Sequence, residues 1–424
     1  MFNKLRILIT TPELRLKIFF IFGVLVVFRF MATIPVPGVD RLQLKSFLGQ
    51  NQFFGLLNIF SGGVLDNLSI VMLGVGPYIT ASIIMQLLTM IFPSLKEMYQ
   101  EEGEAGRARF NQYSRLLAVP LSILQSFGLL TILIRQNVLP QLTPLGFITN
   151  IAVVTAGTMI LMWLGELITE KGLGNGVSLM IFAGIVSRLP VDSFQAIQQF
   201  DIADKTQIIS YLAFLAVALF VIAGVVIITE GQRNIPVSYA KRIRGMRVYG
   251  GNSTYLPLRV NQAGVIPIIF AVSIILFPGL LGNVLGGLSA GWAQSTSQFL
   301  ISAFNNTWIY ALVYFVLVFA FTYFYTAVTF DPQQIATNIQ KQGGFILGIR
   351  PGRPTADYLY RILSRITLAG ALFLGVIAIL PIIVQNLSGI SSFSLGGTSL
   401  LIAVSVILET LKQVDAQLVM REYE

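Results

Sequence analysis

The chain has 424 residues, 55% of them hydrophobic and 11% charged, and a mean hydropathy of +0.77. A soluble fold of this length cannot bury so much apolar surface, which excludes a soluble protein and indicates an integral membrane protein. The sequence contains no cysteine and no histidine, so it offers no disulfide, no usual zinc or haem ligand and no imidazole base. We therefore predict no metal, no cofactor and no enzymatic reaction in the chain itself.

Ten apolar windows follow one another along the chain, and most are close to the ~20 residues that a helix needs to cross a bilayer. They cover roughly residues 18–34, 69–92, 116–134, 147–168, 176–189, 208–229, 263–281, 308–328, 363–384 and 397–411. The first window lacks a small-residue cleavage pattern and is followed by further windows, which indicates a retained helix. The pattern predicts an all-α membrane protein with ten transmembrane helices.

The segment between the first two windows, residues 53–74, is apolar, but its helical pattern is interrupted before it could span a membrane. Its apolar residues have helical spacing, but Gly62, Gly63 and Asp66 interrupt it. Backbone at membrane depth must be buried in protein or line a watery cavity, so one interpretation is a re-entrant half-helix in a central cavity. The other is an amphipathic helix on the membrane surface, and the pattern alone leaves both open.

Two short motifs interrupt apolar windows in corresponding positions of the two halves of the chain. GVGP occupies residues 74–77 and GVIP occupies residues 264–267. Proline lacks an N–H and clashes with the preceding turn, so a helix must begin or break at each motif. Paired breaks of this kind indicate a duplicated membrane protein with a transport path.

Apolar residues recur on one helical face close to these breaks. Val75 and Ile79 are four residues apart in the second window. Val177 and Ile181 repeat this spacing in the fifth window, and Ile269 follows the second motif as Ile79 follows the first. Such residues usually form core or lipid contacts. The alternative is a hydrophobic constriction that excludes water and ions by dewetting, and the paired breaks make this alternative competitive.

The connection between the fourth and fifth windows, residues 162–179, contains a Gly-Leu-Gly-Asn-Gly run. Gly172 can end one helix and Asn175 can cap the next one. Glu166 lies near the end of the fourth window. It either sits at the membrane interface, pairs with Lys171 or takes part in a proton relay.

Lysine and arginine are distributed unequally over the predicted connections. One side of the membrane receives 22 of the 28 basic residues, so the positive-inside bias predicts that both termini are cytoplasmic. The inner connections are long and basic and predict a docking surface; they are residues 94–115, 230–262 and 330–362. The outer connections are nearly uncharged and predict compact turns; they are residues 136–146, 282–300 and 386–396.

In its longer motifs the chain resembles the SecY family, the central subunits of the bacterial protein-conducting channel. The resemblance is carried by residues 74–88 and 162–179 and continues through AKRIRGMRVYGG, STYLPLRVNQAGVIP, GIRPGRPT and GGTSLLI. These motifs are long, in order and correctly spaced among the predicted spans. The resemblance covers essentially the whole chain.

The resemblance implies two pseudo-symmetric five-helix halves around a central pore, with a re-entrant plug helix. The halves would be residues 1–195, with spans 1–5 and the plug segment 54–70, and residues 196–424, with spans 6–10 and the basic cytoplasmic loops 230–262 and 330–362. The plug residues would be Phe60, Ser61, Gly62, Gly63 and Asp66. The ring at the waist of the pore would consist of Val75, Ile79, Val177, Ile181, Ile269 and Ile402.

The same resemblance implies a lateral gate between spans two and seven, with Thr80 and Phe277 at its matching positions. It also implies docking of SecA or of the ribosome, whose RNA phosphates suit arginine, at Lys241, Arg242, Arg247 and Arg350. The alternative is that these charges only determine topology. Further implied partners are SecE, SecG, signal-sequence-bearing polypeptides and membrane lipids, without direct DNA binding and without a cofactor.

The implied function is a channel in the bacterial cytoplasmic (inner) membrane that passes unfolded secretory polypeptides and releases hydrophobic segments laterally into lipid. Energy would come from SecA or the ribosome, because the chain has no phosphate-binding loop of its own. A secondary transporter for a small solute is the alternative, because such transporters also use inverted repeats and broken helices. Against it, only Arg29 lies well inside a predicted span, whereas coupled transporters keep ionisable residues at the midplane.

Overall fold

The structure, a computed structural model, describes residues 11–37, 64–135, 138–198, 205–239, 242–244, 247–249, 253–286, 290–388 and 396–422. Its α-helices are α1 (Pro12–Met31), α2 (Gly76–Ile91), α3 (Pro93–Gln100), α4 (Gly103–Arg135), α5 (Pro144–Lys171), α6 (Gly176–Gln198), α7 (Lys205–Glu230), α8 (Ile266–Leu285), α9 (Gly291–Asn305), α10 (Thr307–Thr329), α11 (Pro332–Lys341), α12 (Arg353–Ser388) and α13 (Gly396–Glu422). Its strands are β1 (Gln232–Tyr239), β2 (Arg242–Arg244), β3 (Arg247–Tyr249), β4 (Ser253–Arg259) and β5 (Gly344–Phe345).

Several of these helices are long and apolar enough to cross a membrane. Among the described residues this holds for five stretches, which are Gly103–Arg135, Pro144–Lys171, Tyr211–Glu230, Thr307–Lys341 and Arg353–Leu380. Helices α2 and α3 pass the same test together, but they are bent by 113° at their break. Phe92, the residue between them, is extended because the following Pro93 disfavours the helical conformation there. A helical membrane protein is therefore confirmed, while the number of ten spans stays a prediction.

Both proline motifs mark the start of a helix, as predicted. Helix α2 begins at Gly76 and α8 begins at Ile266. Gly74 and Gly264, the first residues of the two motifs, have φ angles of 58° and 62°. This left-handed conformation is strained for residues with a Cβ, so glycine is favoured at the same place in both motifs. The same type of backbone turn therefore precedes α2 and α8.

One large apolar core joins helices that are far apart in the sequence. Helix α8 packs against α2 and α4 as well as against α9 and α10, and α13 packs against α6 as well as against α7 and α12. Buried side chains from α1, α2, α5, α6, α7, α8, α10, α12 and α13 form a single hydrophobic cluster. The first and second halves of the sequence therefore share one apolar core.

The two long basic connections fold into a small layer that contains β-structure, which the all-α prediction missed. Strand β1 pairs antiparallel with β4 and, at its end, with β5, while β2 and β3 form a separate two-stranded ladder. Ile235 and Val237 are buried at alternate positions of β1 and pack against α11 and the first turns of α12. The apolar cluster of this layer contains Ile235, Val237, Leu258, Ile339, Ile346, Leu359 and Ile362. The prediction was wrong here because the many charges hide a short period-two pattern.

A second correction concerns the connection 282–300, which was predicted to be a compact turn. It contains most of α9, a helix of 15 residues. Glycine and serine are frequent in this connection and are typical of turns, which explains the error. The helical pattern is nevertheless present, because Ala293 and Ser297 are four residues apart and both are buried.

The last part of α13 binds elements from both halves of the sequence. Leu14 of α1, Leu173 of the α5–α6 connection and Val414 of α13 form a small buried cluster. Two residues before Val414, Lys412 Nζ lies 2.9 Å from Glu230 Oε1 at the end of α7. This end of α13 therefore holds α1, the α5–α6 connection and α7 together.

Candidate functional site

The six residues predicted for an apolar constriction lie in one hydrophobic cluster. Two come from the start of α2, two from the start of α6, one from α8 and one from α13. Between 0% and 6% of the residue surface is exposed for Val75, Ile79, Ile181, Ile269 and Ile402. Val177 is half-buried and packs against the same cluster. The structure thus brings these side chains together, and their role as a pore ring stays a prediction.

A close contact between α5 and α6 determines the position of Val177. A Cβ placed on Gly176 would lie 1.9 Å from the carbonyl oxygen of Gly165, and one placed on Gly165 would lie 3.2 Å from Val177 Cγ2. The two backbones approach this closely because neither glycine has a side chain. Thr169 Oγ1 accepts a hydrogen bond from the Gly176 N–H at 2.9 Å and so fixes the start of α6.

Replacing Gly176 by alanine is expected to destabilise the protein strongly. The added methyl group would overlap a backbone oxygen that cannot move without displacing α5, and overpacking of this kind costs ~1–3 kcal/mol or more. The control is Gly23→Ala in α1, where an added Cβ meets nothing within 4 Å. We expect the control to be neutral or slightly stabilising. Thermal unfolding in detergent measures both, and equal midpoints would contradict the close α5–α6 contact.

A cavity of about 810 Å³ adjoins the apolar cluster, and we call it the polar cavity. Three of the predicted ring residues, Ile79, Val177 and Ile269, form part of its lining. Polar side chains from α2, α4, α5 and the start of α6 line much of the rest, including Ser82, Gln86, Gln112, Thr169, Asn175 and Ser178. The cavity therefore offers hydrogen-bonding groups beside an apolar patch.

Sequence reasoning missed two groups of residues around this cavity. Tyr78, Ser82 and Gln86 all line it from α2, and their spacing of four residues puts them on one helical face. A polar face of this period in an otherwise apolar helix is the pattern that could have revealed them. Val64 and Val71, just before α2, are buried in the same cluster as the predicted ring.

Arg115 of α4 and Glu166 of α5 form an ion pair on the wall of the polar cavity. Arg115 Nε donates a hydrogen bond to Glu166 Oε1 at 2.6 Å. The partner of Glu166 is therefore Arg115 of another helix, whereas the sequence suggested Lys171 as one possible partner. Five residues apart on one α-helix, Glu166 and Lys171 point about 140° away from each other, which disfavours their contact.

The substitution Glu166→Gln is expected to weaken the packing of α4 on α5 modestly. The Arg115 side chain is 49% exposed, so solvent screens the pair and the expected loss is ~1 kcal/mol. Thermal unfolding of Glu166→Gln, Arg115→Gln and the double variant gives the coupling between the two residues. Strictly additive effects of the two substitutions would contradict a stabilising pair.

The predicted lateral gate positions lie on two helices that pack against each other, α2 and α8. Thr80 of α2 is buried, and its Oγ1 donates to the Gly76 carbonyl oxygen at 3.0 Å. Phe277 of α8 is half-buried. Ser273 Oγ of α8 donates to the Ile269 carbonyl oxygen at 2.9 Å. These two hydroxyl groups are satisfied within their own helices, and the role of the α2–α8 contact as a gate stays a prediction.

Part of the predicted plug and docking residues lies outside the described residues. This applies to Phe60, Ser61, Gly62, Gly63 and Lys241. Asp66 lies in a short 3₁₀ helix, Leu65–Asn67. Arg242 and Arg247 lie in the β2–β3 ladder. The plug and docking roles of these residues stay predictions.

Arg350 is exposed in the turn between β5 and α12. Gly348 and Gly352, on either side of it, have φ angles of 80° and 98°, which favour glycine. The carbonyl oxygen of Arg350 accepts a hydrogen bond from Thr355 Oγ1 at 2.9 Å. The backbone of Arg350 is thus held in a defined turn while its side chain stays exposed to solvent.

The sequence of this chain matches one protein family over most of its length. The SecY family model matches residues 69–411. The protein translocase subunit SecY of Streptomyces galbus is 44% identical over 98% of this chain and 97% of its own. That of Corynebacterium glutamicum is 45% identical over 97% of each chain.

Solved structures share the fold at lower sequence identity. A protein-conducting channel has a TM-score of 0.65 and 22% identity, covering 93% of this chain and 90% of its own. Sec61 in a canine ribosome–channel complex has a TM-score of 0.63 and 21% identity, with the same coverage. At these identities the likeness concerns the fold alone.

The long apolar helices and the near full-length relatives together define a membrane-embedded protein translocase subunit. The chain belongs to the SecY family of protein translocase subunits. The resemblance predicted from the motifs is confirmed. The alternative of a transporter for a small solute is not supported, because the relatives that match nearly the whole chain are translocase subunits.

Proposed function

We propose that this chain is the central channel subunit for protein export across the bacterial cytoplasmic membrane and that hydrophobic segments leave it laterally into lipid. The observation that carries the proposal is the convergence of six apolar side chains from four helices beside the polar cavity. An unfolded polypeptide would keep hydrogen bonds to polar groups in the cavity before it passes the ring. Apolar side chains around a peptide make no strong directional bonds, so they can exclude water and ions without holding the peptide.

The proposed architecture has ten spans in two five-helix halves, residues 1–195 and 196–424, with a plug in segment 54–70 and both termini in the cytoplasm. The repeated glycine turn before α2 and α8 supports a duplication. The apolar contacts of α2 with α8 and of α6 with α13 support two bodies that meet along a seam. Helices that must part are better joined by such contacts than by a network of buried polar bonds.

Proposed partners are SecE and SecG within the membrane and SecA or the ribosome at the basic connections. Exposed basic side chains include Arg233 of β1, Lys341 of α11 and Arg350 in the turn between β5 and α12. Exposed arginine and lysine suit carboxylates on a protein and phosphates on RNA. SecA or ribosomal synthesis would supply the energy.

Reconstitution tests the proposal directly. The chain is incorporated with SecE into liposomes, and SecA, ATP and a secretory precursor are added. We expect precursor that becomes protected from external protease only when ATP is present. Protection without ATP, or no protection with all components present, would contradict the proposed function. Uptake of small solutes by the same vesicles would instead favour a transporter.

A further inference from the structure

The surface of helix α9 is divided into three different sides. The side that faces the protein contains the buried Ala293 and Ser297. A second side carries Trp292 and Phe299, whose exposed fractions are 69% and 70%. A third side carries polar, uncharged residues spaced four apart, which are the exposed Gln294, Gln298 and Ser302. Aromatic side chains with an apolar body and a polar tip, such as tryptophan, are enriched at membrane–water interfaces.

The protein-facing side of α9 is attached closely to the end of α8. A Cβ on Gly282 would lie 3.2 Å from Ile301 Cγ1, and one on Gly286 would lie 2.7 Å from Ser297 Oγ. Ser297 Oγ also donates to the Gly282 carbonyl oxygen at 2.6 Å. Gly282 and Gly286 form the small-xxx-small spacing that allows close approach of two helices in a membrane. Helix α9 is therefore joined to the end of α8 by both packing and a hydrogen bond.

Helix α9 connects two apolar helices in a long uncharged part of the chain. It lies between α8 and α10, and residues 260–330, which include all three helices, contain no Asp, Glu, Lys or Arg. The basic β-layer lies beyond the opposite ends of α8 and α10. The exposed aromatic side of α9 is followed by Trp308 and Leu312 of α10, which are 68% and 64% exposed. Such an apolar surface on a membrane helix contacts lipid.

We propose that α9 is a lipid-binding interfacial helix in the leaflet opposite the basic β-layer. Its Trp292 and Phe299 side would enter the boundary between headgroups and acyl chains, and its Gln294 and Gln298 side would face water. Because α9 has no charged residue, it would bind through apolar and aromatic burial and would not depend on anionic lipids. Its attachment to Gly282 and Gly286 would make it an anchor that fixes the end of α8 at the depth of the interface.

Tryptophan fluorescence tests the position of this helix. The chain contains three tryptophans, and Trp163→Phe with Trp308→Phe leaves Trp292 as the only one. The replaced residues are both more than half exposed, so folding should tolerate the changes. The full chain is reconstituted in phosphatidylcholine liposomes that contain lipids brominated either near the headgroup or near the acyl-chain end. We expect stronger quenching by the shallow bromine than by the deep one, and little quenching by aqueous iodide.

The matched control moves the tryptophan to the polar side of the helix, about 120° around the helix axis from Trp292. In the control, Gln298→Trp is combined with phenylalanine at positions 163, 292 and 308. We expect iodide to quench this fluorophore at least several-fold more than Trp292. Strong iodide quenching of Trp292 would overturn the proposal, as would absence of quenching by both bromolipids, which would indicate coverage by protein. Unchanged shallow quenching in liposomes with and without anionic lipid would support it, and a requirement for anionic lipid would contradict it.

Discussion

Replacing Arg350 by glutamate is expected to abolish protein transport while leaving the channel folded. Arg350 is exposed in a turn that Thr355 holds through the backbone, so the substitution reverses a surface charge without disturbing a packed contact. If Arg350 pairs with a carboxylate of SecA or a phosphate of ribosomal RNA, loss of the pair costs ~2–5 kcal/mol of binding, or about thirty-fold or more in affinity. Protease-protected precursor in liposomes measures the effect.

A neighbouring arginine provides the control for this experiment. Arg353 is also exposed and lies at the first position of α12, so Arg353→Glu makes the same charge change nearby. We expect a clearly smaller loss of transport from this control and an unchanged unfolding midpoint for both variants. Normal transport by Arg350→Glu would remove Arg350 from the docking surface. An equal loss in both variants would assign the effect to net charge.

Replacing Ile79 and Ile181 together by glycine is expected to make the resting channel leak ions. Both side chains are buried in the shared cluster, with 6% and 2% of the residue surface exposed, and they come from different helices. If these residues form the predicted constriction, their removal widens it and allows water to enter, which removes the dewetting barrier to ions. Conductance of the reconstituted channel in a planar bilayer, without precursor or SecA, measures the leak.

The control must separate a leak from general destabilisation. Glycine weakens a helix, and loss of a buried isoleucine leaves a cavity. The control variant must therefore produce both of these destabilising effects away from the predicted ring. Ile83 and Ile185 lie one turn further along the same two helices and are 1% and 4% exposed in the same cluster. We expect Ile83→Gly with Ile185→Gly to lower the unfolding midpoint similarly but to leave the conductance low. An unchanged conductance in the ring variant, or an equal leak in the control, would contradict the ring assignment.

The start of a helix was predictable from the sequence where neighbouring residues alone determine it. Proline at the second position of α2 and of α8 stops the preceding helix, and glycine supplies the left-handed turn before it, so GVGP and GVIP predicted both helix starts. The GLGN run likewise separates α5 from α6, with Asn175 Oδ1 accepting from the Ser178 N–H at 3.2 Å. Each of these features depends only on residues within a few positions of one another.

Other features depended on contacts that no local pattern contains. Glu166 pairs with Arg115, 51 residues away, because the packing of α4 on α5 brings the two side chains together. Strand β5 pairs with the end of β1 across more than a hundred residues, and two residues are too few for a recognisable strand pattern. The lipid-facing and protein-facing sides of α9 could be separated only after its contact with Gly282 and Gly286 was known.

The sequence by itself determined the class of molecule, because its hydropathy and its long uncharged stretches allow only a membrane protein. It also determined the family, because the motifs are long and occur in order. The tertiary structure decided which apolar residues meet. An apolar helical stripe is equally suited to lipid, to a core and to a constriction, since the hydrophobic effect has no direction. Only the packing of α2, α6, α8 and α13 against one another gathers Val75, Ile79, Val177, Ile181, Ile269 and Ile402 into one cluster beside the polar cavity.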